Sequence, residues 1–362
     1  MKTRLFIMAA AAAMLLTACA KDNNVAQDAN TGRNVNGKGK QVVKMTTIEY
    51  EDWTNYTRGY ARGASYSWSG NTVSSGRGLR YENGTEVSGQ QYNVSYVYDG
   101  DVLKELRVEY ADDKYQNYRF TYTDGLLTAI YETYMYEVEG WNMTTLTYSD
   151  GKIHEITEDD GTHTSRSILT WEGDNVIRNE EYYRYSYNGY VTESNTIYDY
   201  TYDDKKNPMR FEDPAIAFAF GGISSLSANN VTEMTVTQDY SNTHSYTYTY
   251  EGDYPVKRVE EYISINTGAN ATVTNTTYYE YADGTGSGHV PQIFTITVES
   301  NDRSLGTVYY DGEYAAGTTA VIGATGSYQH AFRCWSDGNT DNPRSITVNA
   351  NATYTAIFGN SN

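Results

Sequence analysis

The feature that most constrains this 362-residue chain is a corner that recurs down its middle. It reads Tyr122-Thr123-Asp124-Gly125-Leu126-Leu127. Related corners stand at Tyr98-Asp99-Gly100-Asp101-Val102-Leu103, Tyr148-Ser149-Asp150-Gly151-Lys152-Ile153, Trp171-Glu172-Gly173-Asp174-Asn175-Val176 and Tyr250-Glu251-Gly252-Asp253-Tyr254-Pro255. An aromatic ends one strand, Asp-Gly or Glu-Gly supplies the positive φ of a tight turn, and an aliphatic restarts the return strand. The aromatics at 98, 122, 148 and 171 lie 24, 26 and 23 residues apart, which suits two strands of roughly ten residues with their turns. One period is one β-hairpin. After the turn, aliphatics recur three apart, as Leu103 and Leu106, Leu127 and Ile130, Ile153 and Ile156, Val256 and Val259. That step suits a helix, but the Gly before it and the Tyr/Thr-rich runs after it favour a strand with a bulge or bend.

The expected fold class is therefore all-β, with a long antiparallel sheet of repeated hairpins over residues 42–287. Its tyrosines, 38 against 8 phenylalanines, fall on strand-like alternations. Tyr183, Tyr185 and Tyr187 share one face, as do Tyr198, Tyr200 and Tyr202, and Tyr246, Tyr248 and Tyr250, with Thr, Ser, Asp and Arg facing the other way. A Tyr ring buries about 150 to 250 Å² while its hydroxyl stays wet, so half-wet sheet faces with cross-strand Tyr ladders are expected. The first two triplets are the candidate binding face. Gly59, Gly63, Gly70, Gly76, Gly78, Gly84 and Gly89 read as punctuation between short strands near the start of the sheet.

At the N-terminus, Lys2 and Arg4 precede an apolar run from Leu5 to Leu16 that ends in Leu16-Thr17-Ala18-Cys19. This is a secretory signal, too short for a permanent span. Leu-Thr-Ala-Cys resembles a bacterial lipobox, which implies removal of residues 1–18 and lipidation of Cys19. Residues 19–41 follow as a polar, flexible tether. Lys21-Asp22 resembles the charged export signals of Bacteroidetes surface lipoproteins. With Cys19 consumed, only Cys334 remains, so no internal disulfide is expected, and Cys334 reads as a small buried hydrophobe between aromatics. The mature chain carries 25 basic against 46 acidic side chains, a net −21. That charge repels phosphate backbones and anionic head groups, so no nucleic-acid partner is expected.

The hairpins, with Tyr200-Thr201-Tyr202-Asp203-Asp204-Lys205-Lys206-Asn207-Pro208 near the end of the regular part, resemble Bacteroidetes lipoproteins of unknown function with YD-like repeats. Pro214-Ala215-Ile216-Ala217-Phe218-Ala219-Phe220-Gly221-Gly222-Ile223 is the most apolar stretch of the mature chain. It reads as a short helix or plug over one end of the sheet, the alternative being an exposed docking patch. A Gly-rich linker closes at 288–291. Residues 292–359 then carry Gly306-Thr307-Val308, Phe332-Arg333-Cys334-Trp335-Ser336-Asp337-Gly338 and Ala352-Thr353-Tyr354-Thr355-Ala356-Ile357-Phe358, and closely resemble the divergent internalin B-type repeat. The resemblance implies a small β-grasp-like spacer or interaction unit of bacterial surface proteins. Asp337-Gly338-Asn339-Thr340-Asp341 opens like a calcium loop but has Asn342 and Val348 where Gly and Glu belong, so a turn is the better reading.

No catalytic motif stands out, and His154, His163, His244, His289 and His330 are scattered without ligand spacing. His154, Glu158 and His163 read as solvated strand residues, and Glu158-Asp159-Asp160 as turn residues. No metal, cofactor or catalytic residue is expected. The leading expectation is a lipid-anchored outer-membrane protein, on the cell surface or on the periplasmic face, that binds a protein or glycan. A passive spacer is the alternative, and a glycan-active enzyme ranks third.

Overall fold

The computed structural model describes residues 40–53, 56–70, 72–82, 85–87, 92–110, 114–134, 142–187, 189–210, 214, 215, 217, 222–238, 241–266 and 269–361. The signal, Cys19 and nearly all of the tether lie outside them. Seventeen strands make the main sheet. They are β1 (Val42–Trp53), β2 (Tyr56–Ser69), β3 (Thr72–Glu82), β4 (Thr85–Val87), β5 (Tyr92–Asp99), β6 (Val102–Tyr110), β7 (Tyr115–Thr123), β8 (Leu126–Tyr134) and β9 (Asn142–Ser149). They continue with β10 (Lys152–Asp159), β11 (His163–Glu172), β12 (Asn175–Tyr187), β13 (Tyr190–Lys206), β14 (Asn229–Thr237), β15 (Ser241–Glu251), β16 (Tyr254–Asn266) and β17 (Ala269–Tyr281).

All-β and antiparallel hold, but the long sheet is not open. β1 pairs with β2 on one side and with β17 on the other, the latter from Val42↔Tyr281 to Asp52↔Thr272. β4 is a flap on β3, which continues to β5, so sixteen of the seventeen strands form a closed up-and-down barrel. Closure removes the unpaired edges that a long open sheet would leave. Gly59, Gly63, Gly76 and Gly78 do not punctuate it, because β2 and β3 run straight through them. At Gly78 a Cβ would stand 2.6 Å from the Tyr92 ring, so glycine there makes room for an inward aromatic.

One local device repeats around the ring. In β6, Leu103 pairs with Tyr98 and Glu105 with Val97, so Lys104 is an extra residue and the strand bulges. The same slip leaves Thr128, His154, Ile177 and Val256 as extra residues after their corners. A bulge places two residues against one, so positions 0 and +3 from the corner both point inward. That explains the three-residue step: Leu103 and Leu106, Leu127 and Ile130, Ile153 and Ile156 are all buried in one core. In the hairpin after Gly252 the inward pair is Pro255 and Arg258, opposite Tyr250 and Tyr248, and Val259 pairs with the outward Thr247. The expected Val256/Val259 pair is off by one residue.

At seven of the bulges a backbone carbonyl turned off the ladder accepts from an aromatic on the following strand. Trp68 Nε1 donates to Val42 O (2.9 Å), Tyr122 OH to Leu103 O (3.0 Å), Tyr148 OH to Leu127 O (2.9 Å) and Trp171 Nε1 to Ile153 O (2.8 Å). Tyr202, Tyr248 and Tyr281 do the same for Val176, Val231 and Pro255. Phenylalanine has no donor, so these corners need Tyr or Trp.

These corners gather at one end of the barrel, which is filled. Ala215 and Ala217, together with Leu226 of a 3-10 turn (Gly222–Leu226), pack into the same core as the corner aliphatics, the role expected of the plug. Asn207 ties the segment down by donating to Ser224 O and Ser227 O. The opposite end is where β1–β2, β10–β11 and β12–β13 connect.

The C-terminal strands are β18 (Ile293–Ser300), β19 (Gly306–Tyr309), β20 (Gly312–Ala315), β21 (Thr319–Gly326), β22 (His330–Trp335), β23 (Arg344–Thr347) and β24 (Ala352–Asn360). They form a sheet ordered β20-β18-β24-β22, with β18 and β24 parallel, and a second sheet β19-β21-β23, around buried Trp335, Ile322, Val348 and Ala356. Cys334 is half-buried, because the β22–β24 register slips between Phe332 and Cys334. Asp337 binds Arg344 through both oxygens (2.8 and 2.6 Å) and accepts from Asn339 N, so the calcium-like stretch is a turn. The domain is docked on the outer wall of β1 and β2. Tyr314 OH donates to Thr57 O (3.1 Å), Val321 N to Thr57 Oγ1 (2.8 Å), and Ile48, Ala61, Tyr81 and Tyr278 pack against Ile293. The Gly-rich segment is pinned by Gly286 N and His289 Nε2 on the Glu251 carboxylate.

Candidate functional site

The bulge sets the inward positions as 0, +3 and +5 from each corner. At +5 stand Val108, Glu132, Glu158, Glu181 and Glu260, all pointing into the lumen above the apolar plugged end. At +3 most hairpins carry Leu or Ile, but Asn179 and Arg258 replace them. Polar residues at a position that is otherwise apolar core mark where a lumen site interrupts the packing.

Two walls emerge, with opposite electrostatics. On β15–β17, Glu260 is satisfied: His244 Nδ1 lies at 2.9 Å, Tyr246 OH donates at 3.1 Å and Asn275 Nδ2 at 3.2 Å. The His244 ring stacks on Tyr262 with centroids 4.3 Å apart. Burial alone would raise the Glu260 pKa, but the His244 hydrogen bond, the Arg258 charge and Asn275 outweigh it and hold the carboxyl at about 2. Arg62 lies 3.9 Å from Glu49 on the same side.

On the facing wall, from β7 to β13, no Lys or Arg among the described residues pairs with Glu158 or Glu181. Glu132 accepts from Gln116 Nε2 (2.8 Å) and Tyr118 OH (3.3 Å), and Tyr110 OH donates to Gln116 in turn. Glu181 accepts from Ser165 Oγ (3.1 Å), and the Tyr198 hydroxyl also bonds it. Burial, then the negative charges of Glu181 and Glu132, push Glu158 up to about 7. Toward the rim, His163 stacks on Tyr185 (4.7 Å) and approaches Tyr183 (6.1 Å), with Nδ1 2.8 Å from Asp160.

The expected Tyr face is thus an inner wall, not the face of an open sheet. Tyr183, Tyr185, Tyr198, Tyr200 and Tyr202 share it by register, and Arg184, Asp199 and Thr201 face outward. Their roles differ. Tyr202 brackets the Val176 carbonyl, and burial raises its hydroxyl to about 12. Burial raises Tyr200 as well. Tyr198, Tyr183 and Tyr185 border the acids. The Tyr187 side chain lies outside the described residues. Glu158 is a strand residue facing the lumen, not a turn residue, and His154 is exposed beside Glu155, apart from His163. Sequence reading passed over Glu132, Glu181 and Asn179, although counting from each corner through one bulge finds them.

The outer wall is charged. Cross-strand partners Glu105 and Arg119 (3.7 Å), Glu155 and Arg166 (2.6 Å), Arg178 and Asp199 (3.6 Å) and Arg184 and Glu193 (3.4 Å) lie on it, with Thr243, Ser245, Thr247 and Thr249 along β15.

No family's sequence profile matches this chain, and no curated protein sequence does. Among solved structures, a porin-like protein from Bacteroides uniformis is similar with a TM-score of 0.44 and 14% identity, over 66% of this chain and 96% of that one. A porin-like protein from Bacteroides vulgatus is similar with a TM-score of 0.31 and 11% identity, over 66% of this chain and 98% of that one.

Proposed function

We propose that this chain is a non-enzymatic envelope protein, held to the outer membrane by lipid on Cys19, whose barrel is a water-borne cup that binds a ligand in its lumen. One observation carries the reading: the outer wall of the barrel is charged, and its apolar core lies inside, at the plugged end. A bilayer-spanning barrel needs the reverse, an outward apolar belt about 25 Å tall, and Arg or Lys at mid-membrane costs about 2 to 4 kcal/mol each. Arg119, Arg166 and Arg178 sit on outward positions well inside their strands. The plugged end argues against a through-channel. Beyond the apolar core the inner wall is lined by Tyr and Glu, which favours binding over a passive spacer. Anchor, polar tether and cup then form one sequence from membrane to ligand. In a fractionation experiment, Cys19→Ala moves the protein from the membrane to the soluble fraction. The chain from Lys40 onward stays monodisperse without detergent. A requirement for detergent, or conductance across a planar bilayer, would reverse the reading.

A further inference from the structure

We infer that the β10–β12 wall of the lumen is the seat of an organic cation, an amine-bearing small molecule held by Glu158, Glu181 and Asn179. This deepens the lumen-binding reading and rests on it. The argument starts from what the wall offers, which is acceptors. Among the described residues no Lys or Arg pairs with Glu158 or Glu181, and Glu158 accepts no hydrogen bond from them. Asn179 supplies an independent sign. It is 3% exposed, faces the lumen at the +3 position across from Tyr198, and its Oδ1 has no hydrogen-bond partner. A buried amide oxygen left without a donor forgoes the hydrogen bonds that water gives it in the unfolded chain, and a ligand that brings N–H groups restores them.

Chemistry narrows the ligand. A metal ion would also suit oxygen donors, but no group of three or more metal-ligating side chains converges among the described residues. Acceptors spread along two strand positions suit a polyatomic cation that presents several N–H groups at once. Tyr183, Tyr185 and His163 add ring faces at the rim, where an ammonium gains from aromatic π-faces. The facing wall, β15–β17, fits the assignment. Glu260 already has His244 and Arg258, so it holds no place for a second cation.

Protons report the event. The groups facing Glu158 are Glu132 from β8, Glu181 from β12 and Tyr118 from β7, with uncharged Thr144 and Ser165 on the adjacent strands and Asp160 and His163 at the rim. A bound cation makes Glu158 ionise, so binding below its titration near 7 expels a proton, and binding above it does not.

Calorimetric titration of the chain from Lys40 onward with spermidine tests the inference. Spermidine binds one site, and repeating the titration in buffers of different ionisation enthalpy shows close to one proton released at pH 6 and far less at pH 7.5, where the amine groups of the ligand are still protonated. Glu158→Gln with Glu181→Gln weakens binding at least about tenfold and abolishes proton release. Asn179→Leu weakens it severalfold, and the outer-wall change Glu105→Gln leaves it unchanged. Absence of spermidine binding, equal loss from Glu105→Gln, or binding without proton release overturns the inference. The wild-type proton count needs no variant to fold. A parallel titration with maltohexaose keeps the two levels apart. A neutral saccharide that binds where spermidine does not sinks the amine assignment and leaves the lumen-binding reading standing.

Discussion

At the scale of single residues, two lumen carboxylates at the same repeat position carry opposite pH signatures. Glu158 holds its proton up to about 7, whereas an unfolded chain releases it near the ordinary carboxylate value. The native state binds the extra proton between those values, so this group's contribution to stability falls as pH rises through that window. Glu158→Gln removes the penalty. Urea denaturation at pH 8 should find the variant more stable than wild type by about 1 to 3 kcal/mol, and the difference should vanish near pH 4.5. Glu260, held at about 2, behaves the other way. Its contribution is complete above the ordinary carboxylate range and is lost as pH falls toward 2. Glu260→Gln leaves the Arg258 guanidinium, whose Nε already lacks a partner, without its counter-charge. The expected cost is about 3 to 5 kcal/mol at pH 7 by the same measurement. A Glu260 variant as stable as wild type would mean that Arg258 is solvated in the lumen.

At the scale of elements, the barrel is a hairpin whose corner carries three linked parts: the turn Gly, the bulge and the aromatic that brackets the freed carbonyl. Tyr148→Phe and Trp171→Phe each remove one such hydrogen bond and leave a half-buried carbonyl unpaired. Each should cost about 1 kcal/mol, and the double variant about the sum, because the two bonds cap different hairpins. A clear deviation from additivity in urea melts would show that the corners act as one unit. The hairpin itself was legible in sequence, since Tyr-x-x-Gly and the three-residue aliphatic step are local signals. Ring closure was not, because the pairing of Val42 through Asp52 with Tyr281 through Thr272 is a contact between chain segments far apart. The candidate site was half legible. Tyr183, Tyr185 and Tyr198 followed from alternation, but Glu132, Glu158, Glu181 and Asn179 needed the parity that one bulge imposes. Acidic residues are common enough here that composition could not single them out.

At the scale of the molecule, the C-terminal domain is part of the barrel's outer wall rather than a free appendage. The approach of the two domains is close enough that side chains are excluded from it. A Cβ on Gly59 would stand 2.2 Å from Glu313 O, and one on Gly312 would stand 2.3 Å from Gly59 O. Tyr56 and Tyr310 stack beside this contact with centroids 3.3 Å apart. Gly59 occurs in the middle of β2, where alanine is tolerated by strand geometry, so its effect should be on docking rather than on the barrel. Gly59→Val should therefore open the Gly-rich connection between β17 and β18, residues 282–292, to a broad-specificity protease such as proteinase K, while the barrel's tryptophan and tyrosine near-UV signal persists. Undocking also uncovers Ile48, Ala61, Tyr81 and Tyr278, so the variant should associate in sedimentation at concentrations where wild type does not. Unchanged protease resistance would mean that the interface yields around the added methyls. In that case the rigid seating of the C-terminal domain on the cup rests on the apolar cluster and the Glu251–His289 pin, and not on the close backbone approach.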